Sequence, residues 1–187
     1  MANGSEAVKI KSFFQGLWYS GSTRHSHCRD GGSIPPRSTM NVSEFRSKIK
    51  PNIKLSADGR NFIVKEVVKF RFDDGSFYTK CYLSDGYVFA DDLNANMFLL
   101  VKETKTDFQQ PFPDKTDFEG KKFKFLYNAH AVAEETEGEE IFKKGDSESF
   151  WDYKAEDGSY LSLGISDQTE ERADFYGKIV SNDKIEL

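Results

Sequence analysis

The sequence is poor in the residues that much catalytic chemistry depends on. It has two cysteines, Cys28 and Cys81, in 187 residues. Two cysteines cannot build the disulfide framework of a small secreted domain, so a reducing, cytoplasmic setting is the expectation. It has three histidines, and two of them, His25 and His27, share the short stretch "RHSHC" with Cys28. That spacing supplies three ligands at most, with no second cluster to close a tetrahedron. No metal and no other cofactor is therefore expected. No apolar run approaches the roughly 20 residues of a membrane helix. No basic segment followed by an apolar one opens the chain, so no secretory signal is expected. Neither G-x-G-x-x-G nor G-x-x-x-x-G-K-[ST] occurs, which removes the common phosphate-binding loops.

Positive charge is also short. Lys and Arg number 26 against 31 Asp and Glu, a net charge of -5. Residues 1–39 are net basic, so residues 40–187 are more acidic than the chain as a whole. An acidic body repels a phosphate backbone, and nucleic acid is not an expected partner. What the chain has in quantity is aromatic: 17 Phe and 8 Tyr.

The stretch "GGSIPPRSTM", Gly31–Met40, fits none of this. Residues 16–39 show neither helical period nor strand alternation. The codons permitted by Gly31–Pro36 include a GGCGG stem, a TTCGATT loop and a complementary CCGCC stem. Tyr19–Ser22 and Ser26–His27 permit the matching upstream loops of a transfer-RNA gene, in the right order. Residues 1–39 are therefore expected to be a non-native, disordered leader translated from tRNA-gene-like sequence, with residues 40–187 forming a single β domain.

From Met40 the punctuation is β-type. "VSEFRSKIKP" predicts one short helical turn ended by Pro51. Asp-Gly pairs at 58–59, 74–75, 85–86 and 157–158 supply the positive φ of tight hairpins. Between them run 61–72, 76–83, 87–91 and 97–104, a meander of four strands. Residues 105–119 read as a long connection. A second half follows, with strands at 121–135, 149–155, 159–166 and 172–180 and "TEGEE" as a turn. In "SFYTKCYL", Phe77, Thr79, Cys81 and Leu83 form an apolar face, and Tyr78, Lys80 and Tyr82 a wetter one. The expected fold is mainly β: an antiparallel sandwich or partly closed barrel built from two meander-like halves. Its core is expected to include Val68, Phe70, Leu83, Leu99, Phe125, Trp151 and Leu163. "DDGSF" (73–77) and "EDGSY" (156–160) echo each other, as an internal repeat or as two hairpins with the same turn chemistry.

The candidate chemistry is thin. His130, in "NAHAVAEE", is expected to be structural or exposed. Cys81 is expected to be a small core residue. "EETEGEE" (134–140) reads as a solvated charge run. Asp91-Asp92 follows a strand and could face a cation, but "ADDLNAN" lacks the alternating acids of a calcium loop. In "FWDY" (150–153), Phe150 and Asp152 alternate with Trp151 and Tyr153; one face is expected to be core, and the other could stack a sugar or a peptide, with ordinary packing the preferred reading. No residue is assigned a catalytic, cofactor-binding or metal-binding role.

"EGEEIFKKGDSESFWDYKAEDGSYLSLGISDQTEERADFYGKIV" resembles the DUF4178 family of bacterial proteins. The resemblance rests on Gly138-Glu139, Gly145-Asp146, Asp152-Tyr153, Leu161-Ser162, Glu170-Glu171 and Gly177, and on the hairpins of "FYTKCYLSDGYVFADDLNANMFLLVKE", with Phe98 where the family often has Trp. It covers about residues 52–182 and implies a fold and no catalytic residues. The functional expectation is a non-catalytic β-module that binds an unidentified protein or scaffolds a bacterial assembly. The alternative is a small carboxylate-based enzyme or carbohydrate-binding domain with an aromatic-lined cleft.

Overall fold

The computed structural model of the chain describes residues 39–92 and 95–187. The expectations for residues 1–38, including His25, His27 and Cys28, lie outside the described residues.

One helix, α1 (Val42–Lys48), opens the described part. The Asn41 side chain accepts from the Glu44 N–H at 2.8 Å, an N-cap that satisfies one of the free first-turn donors. The strands follow in chain order: β1 (Lys54–Ala57), β2 (Arg60–Phe72), β3 (Phe77–Leu83), β4 (Tyr87–Asp92), β5 (Met97–Thr104), β6 (Lys115–Phe118), β7 (Lys121–Gly138), β8 (Ser147–Ala155), β9 (Ser159–Ser166), β10 (Arg172–Val180) and β11 (Ile185–Glu186). Eight of them close an antiparallel barrel in the order β2-β3-β4-β5-β10-β9-β8-β7, and β7 returns to β2. The two expected meanders are β2–β5 and β7–β10. They meet at β5–β10 and at β2–β7. β1 and β11 extend the sheet beside β2, and β6 beside β7; none of these three short strands was expected from the sequence.

All four Asp-Gly pairs sit in turns. Asp58 and Gly59 both have positive φ, as do Asp85 and Gly86, while Gly75 and Gly158 supply it alone. Asp74 and Asp157 each accept from the backbone N–H two residues on, at 2.9 Å. The echoing stretches are therefore the β2–β3 and β8–β9 turns. These are the first turn of one meander and the second of the other, so the echo is shared turn chemistry in two separate hairpins.

Closure overturns the reading of β3. Directly paired residues share a face, so the register places Glu66, Val68, Phe70, Tyr78, Lys80, Tyr82, Val88 and Ala90 together on the inside. The face with Tyr78, Lys80 and Tyr82 is thus the lumen, and Lys80 is buried. The Cys81 face points outward, yet it is buried too. There α1, β1, β11 and the start of β2 pack Phe45, Leu55, Val64 and Ile185 around Cys81, Phe89 and Phe98. A bulge between Val64 and Glu66 lets β2 serve both regions. Outside β8–β10, Phe108, Phe112 and Phe118 cover Trp151, Leu161, Leu163 and Tyr176. The 105–119 connection is therefore a cover over the sheet. Of the expected core, Val68, Phe70, Leu83 and Leu163 are buried, while Leu99, Phe125 and Trp151 are half-buried.

"TEGEE" is only in part a turn. β7 runs into it as far as Gly138 and pairs with β2, with Thr136 opposite Val68 and Glu137 opposite Val67, and the chain bends at Glu139. Lys69–Glu135, Arg71–Glu134 and Lys65–Glu139 form ion pairs along this seam. The acids that read as a solvated run are the cross-strand partners of the β2 cations.

Gly177 shows why a tightly coiled barrel needs glycine. Its interior face lies against the backbone of β5, and a Cβ there would sit 2.1 Å from the Leu100 carbonyl oxygen. Among the described residues, no helix is long and apolar enough to cross a membrane.

Candidate functional site

A pocket of about 560 Å³ opens at one end of the barrel, lined by Lys80, Tyr82, Glu103, Phe142, Glu148 and Phe175 among others. That volume lies within the usual range for ligand sites. β3, β8 and β10 carry Lys80, Glu148 and Phe175 into the lumen because each is an inward position of its strand. The irregular segment between β7 and β8 brings Phe142 over the opening.

Lys80 is the centre of this end. Its Nζ donates to both Glu148 oxygens at 2.8 Å, and Tyr78 donates its hydroxyl to Glu148 Oε1 at 2.7 Å. Four ring centroids surround the ammonium: Phe175 at 5.2 Å, Phe70 and Phe142 at 5.5 Å, and Tyr82 at 5.6 Å. A buried cation needs a hydrogen-bonded counter-charge, and the ring faces add cation–π attraction. Burial by itself lowers the Lys80 pKa. The Glu148 carboxylate and the Tyr82 phenol outweigh it and hold the ammonium protonated beyond the usual lysine range. Burial pushes the Tyr82 hydroxyl up to about 12, with Lys80 pulling down and Glu148 pushing up. Both groups therefore enter the pocket as hydrogen-bond donors at neutral pH.

Glu66 holds the rim. It is a fully buried carboxylate on β2, and it accepts the backbone N–H groups of Ile141 and Phe142, the latter at 2.9 Å. The Phe142 ring meets Phe70 edge-on at 5.2 Å and stacks on Tyr82 at 5.8 Å. Its neighbour Ile141 stays 48% exposed, one of few large apolar side chains at the surface.

Asp152, Tyr127, Tyr160 and Ser162 form another polar set in the lumen. Tyr160 donates to Asp152 Oδ2 at 2.6 Å. Burial raises the Asp152 pKa, while the Ser162, Tyr160 and Tyr127 hydroxyls hold it back. Its other oxygen, Oδ1, has no hydrogen-bond partner among the described residues.

The residues singled out from the sequence lie elsewhere. Asp91 is buried under α1, where it accepts from Arg46 Nε at 2.9 Å and from the Thr79 N–H at 3.1 Å. It anchors the helix, its carboxylate taken up by the Arg46 guanidinium. His130 is on the outer face, 2.9 Å from Asp73 and 3.1 Å from Asp167. Trp151 and Tyr153 also point outward, against Phe112 and Phe125. The aromatic residues that line the pocket are others, Tyr82, Phe142 and Phe175 among them. Cys81 lies in the outer core, its thiol pushed up by burial and then by Asp91. Among the described residues, no group of three or more His, Cys, Asp or Glu is placed to hold a metal ion. Sequence reasoning missed Lys80, Glu148, Phe142 and Phe175. The usable signal was a lysine between two tyrosines at two-residue spacing, since a strand face with that composition suits a buried, ring-lined cation better than water.

No match was found among curated proteins or among solved structures. A family model described as a domain of unknown function, DUF4178, matches residues 50–181. That span contains all eight barrel strands and both sides of the pocket, and the chain belongs to the DUF4178 family.

Proposed function

We propose that the chain is a non-catalytic binding module that takes a protein partner at the open end of the barrel. The observation that carries this reading is the state of the polar groups there. Glu148 accepts from Lys80 with both oxygens and from Tyr78 with one of them. Lys80 is held charged and Tyr82 neutral, so neither is poised to exchange a proton near neutrality. Such a satisfied, rigid set suits recognition. The exposed Ile141 at the rim adds an apolar contact of the kind protein interfaces use. The net charge of -5 favours a protein over a nucleic acid as partner.

A photo-crosslinking residue placed at Ile141 in the full chain, in its own cells, is the test. A discrete protein adduct is expected from that position and not from Lys124, near the start of β7. Equal capture from both positions, or none from Ile141, refutes the reading. The competing reading, a carboxylate-based enzyme or sugar binder, draws on Glu103, Glu148 and Glu171 sharing the pocket with aromatic rings. The engagement of Glu148 by Lys80 and Tyr78 weighs against it.

A further inference from the structure

We infer that the barrel mouth is a receptor for an aromatic-anchored peptide segment, and that Ile141-Phe142 of the chain's own β7–β8 segment occupy it in the structure. The inference rests on the binding reading above and specifies what is bound.

The argument starts from Glu66. A carboxylate at 0% exposure inside a barrel requires partners. The partners it has are two consecutive backbone N–H groups, those of Ile141 and Phe142. Backbone N–H groups carry no side-chain identity, so Glu66 would accept the same pair from any chain that reached it. The ring specificity comes from the neighbours. Phe70 and Tyr82 receive the Phe142 ring edge-on and stacked, and the Lys80 ammonium faces it at 5.5 Å. These groups belong to β2 and β3, so the subsite is part of the barrel and its occupant is not.

The occupant is tethered between two glycines in the left-handed region, Gly138 and Gly145, and Glu140 within it also has a φ of 59°. A non-glycine residue there is uncommon. Beside the ring, the pocket of about 560 Å³ leaves room for further residues of an incoming segment. The Tyr82 hydroxyl lines that space, a donor that suits a carbonyl oxygen of a peptide. The ligand class is thus a protein segment with one aromatic residue, two free backbone N–H groups at that residue and the one before it, and a carbonyl directed inward.

The test uses the full chain, wild type and Phe142→Ala, with two peptides copied from residues 140–143. One is acetyl-Glu-Ile-Phe-Lys-amide, and the other carries Ala in place of Phe. Binding is read by calorimetry and by amide shifts at Lys80, Tyr82 and Phe175. The Phe peptide is expected to bind Phe142→Ala at least about tenfold more tightly than wild type, because the competing ring is gone. The Ala peptide is expected not to bind. If Phe142→Ala does not fold, the wild-type chain serves: millimolar Phe peptide is expected to shift the Phe142 amide saturably, and no shift refutes the inference. Equal binding of both peptides refutes it. Benzoate or benzamide binding as tightly as the peptide would make this a small-molecule site instead. Dimerisation of Phe142→Ala in place of peptide binding would make a second copy the occupant. A protein crosslinked from Ile141 while the peptides fail would leave the binding reading standing and remove this inference alone.

Discussion

Lys80 and Glu148 meet across the lumen from strands that are not hydrogen-bonded to each other, with Nζ 2.8 Å from each carboxylate oxygen. The pair ties the first meander to the second through the interior. Its side chains are 9% and 11% exposed, so each charge depends on the other.

Breaking that pair from one side is expected to be costly. Lys80→Met leaves Glu148 buried without its counter-charge, a change that typically costs about 3–5 kcal/mol. Lys80→Met with Glu148→Leu removes both charges and is expected to regain most of the loss. Urea unfolding of the single and double variants checks this, and a double variant no more stable than the single one contradicts it.

A second expectation concerns pH. Asp73 first, and then Asp167, raise the His130 pKa, while partial burial opposes them. A raised folded-state pKa stabilises the fold when His130 is protonated. The contribution is fully present below the unfolded value of about 6.5 and is lost as pH rises through the higher folded value. With the side chain 38% exposed, solvent screening keeps the effect below about 1 kcal/mol. Unfolding of wild type and His130→Gln at several pH values is the measurement. The difference between them is expected to shrink as pH rises.

Gly177→Ala is expected to be among the most damaging single changes. The added Cβ would lie 2.1 Å from the Leu100 carbonyl oxygen and 2.6 Å from Val101 Cα. Both are backbone atoms of β5 and cannot rotate away. A loss of about 3 kcal/mol or more is expected, or failure to fold. Gly75→Ala serves as the comparison, because no atom lies within 4 Å of its Cβ position and only the positive φ is strained.

The Cys81 thiol is expected to resist alkylation in the native state. It is fully buried, and burial followed by Asp91 raises its pKa, which suppresses the reactive thiolate. Mass spectrometry of the peptide containing Cys81 after iodoacetamide treatment checks this. Labelling is expected only in denaturant, and rapid labelling of the folded chain contradicts it.

The sequence by itself determined the local grammar. Asp-Gly pairs favour positive φ, so the turns at 58–59, 74–75, 85–86 and 157–158 were legible from the chain. Turn residues and the β-branched and aromatic runs between them located all eight barrel strands, because both depend only on near neighbours. Short edge strands such as β11, two residues long, carry too few positions for any period to show. Alternation also says that a strand has two faces, but not which way the sheet curls. That was decided by the pairing of β2 with β7, between residues 59 to 72 positions apart. Closure there turned Tyr78, Lys80 and Tyr82 inward, while α1 and β1 covered the opposite face. The same closure brought Glu148 to Lys80 and the Phe142 ring to the Lys80 ammonium. Nothing in the neighbourhood of these residues specifies the contacts, because each partner lies on a different strand and meets the others only once the barrel has formed.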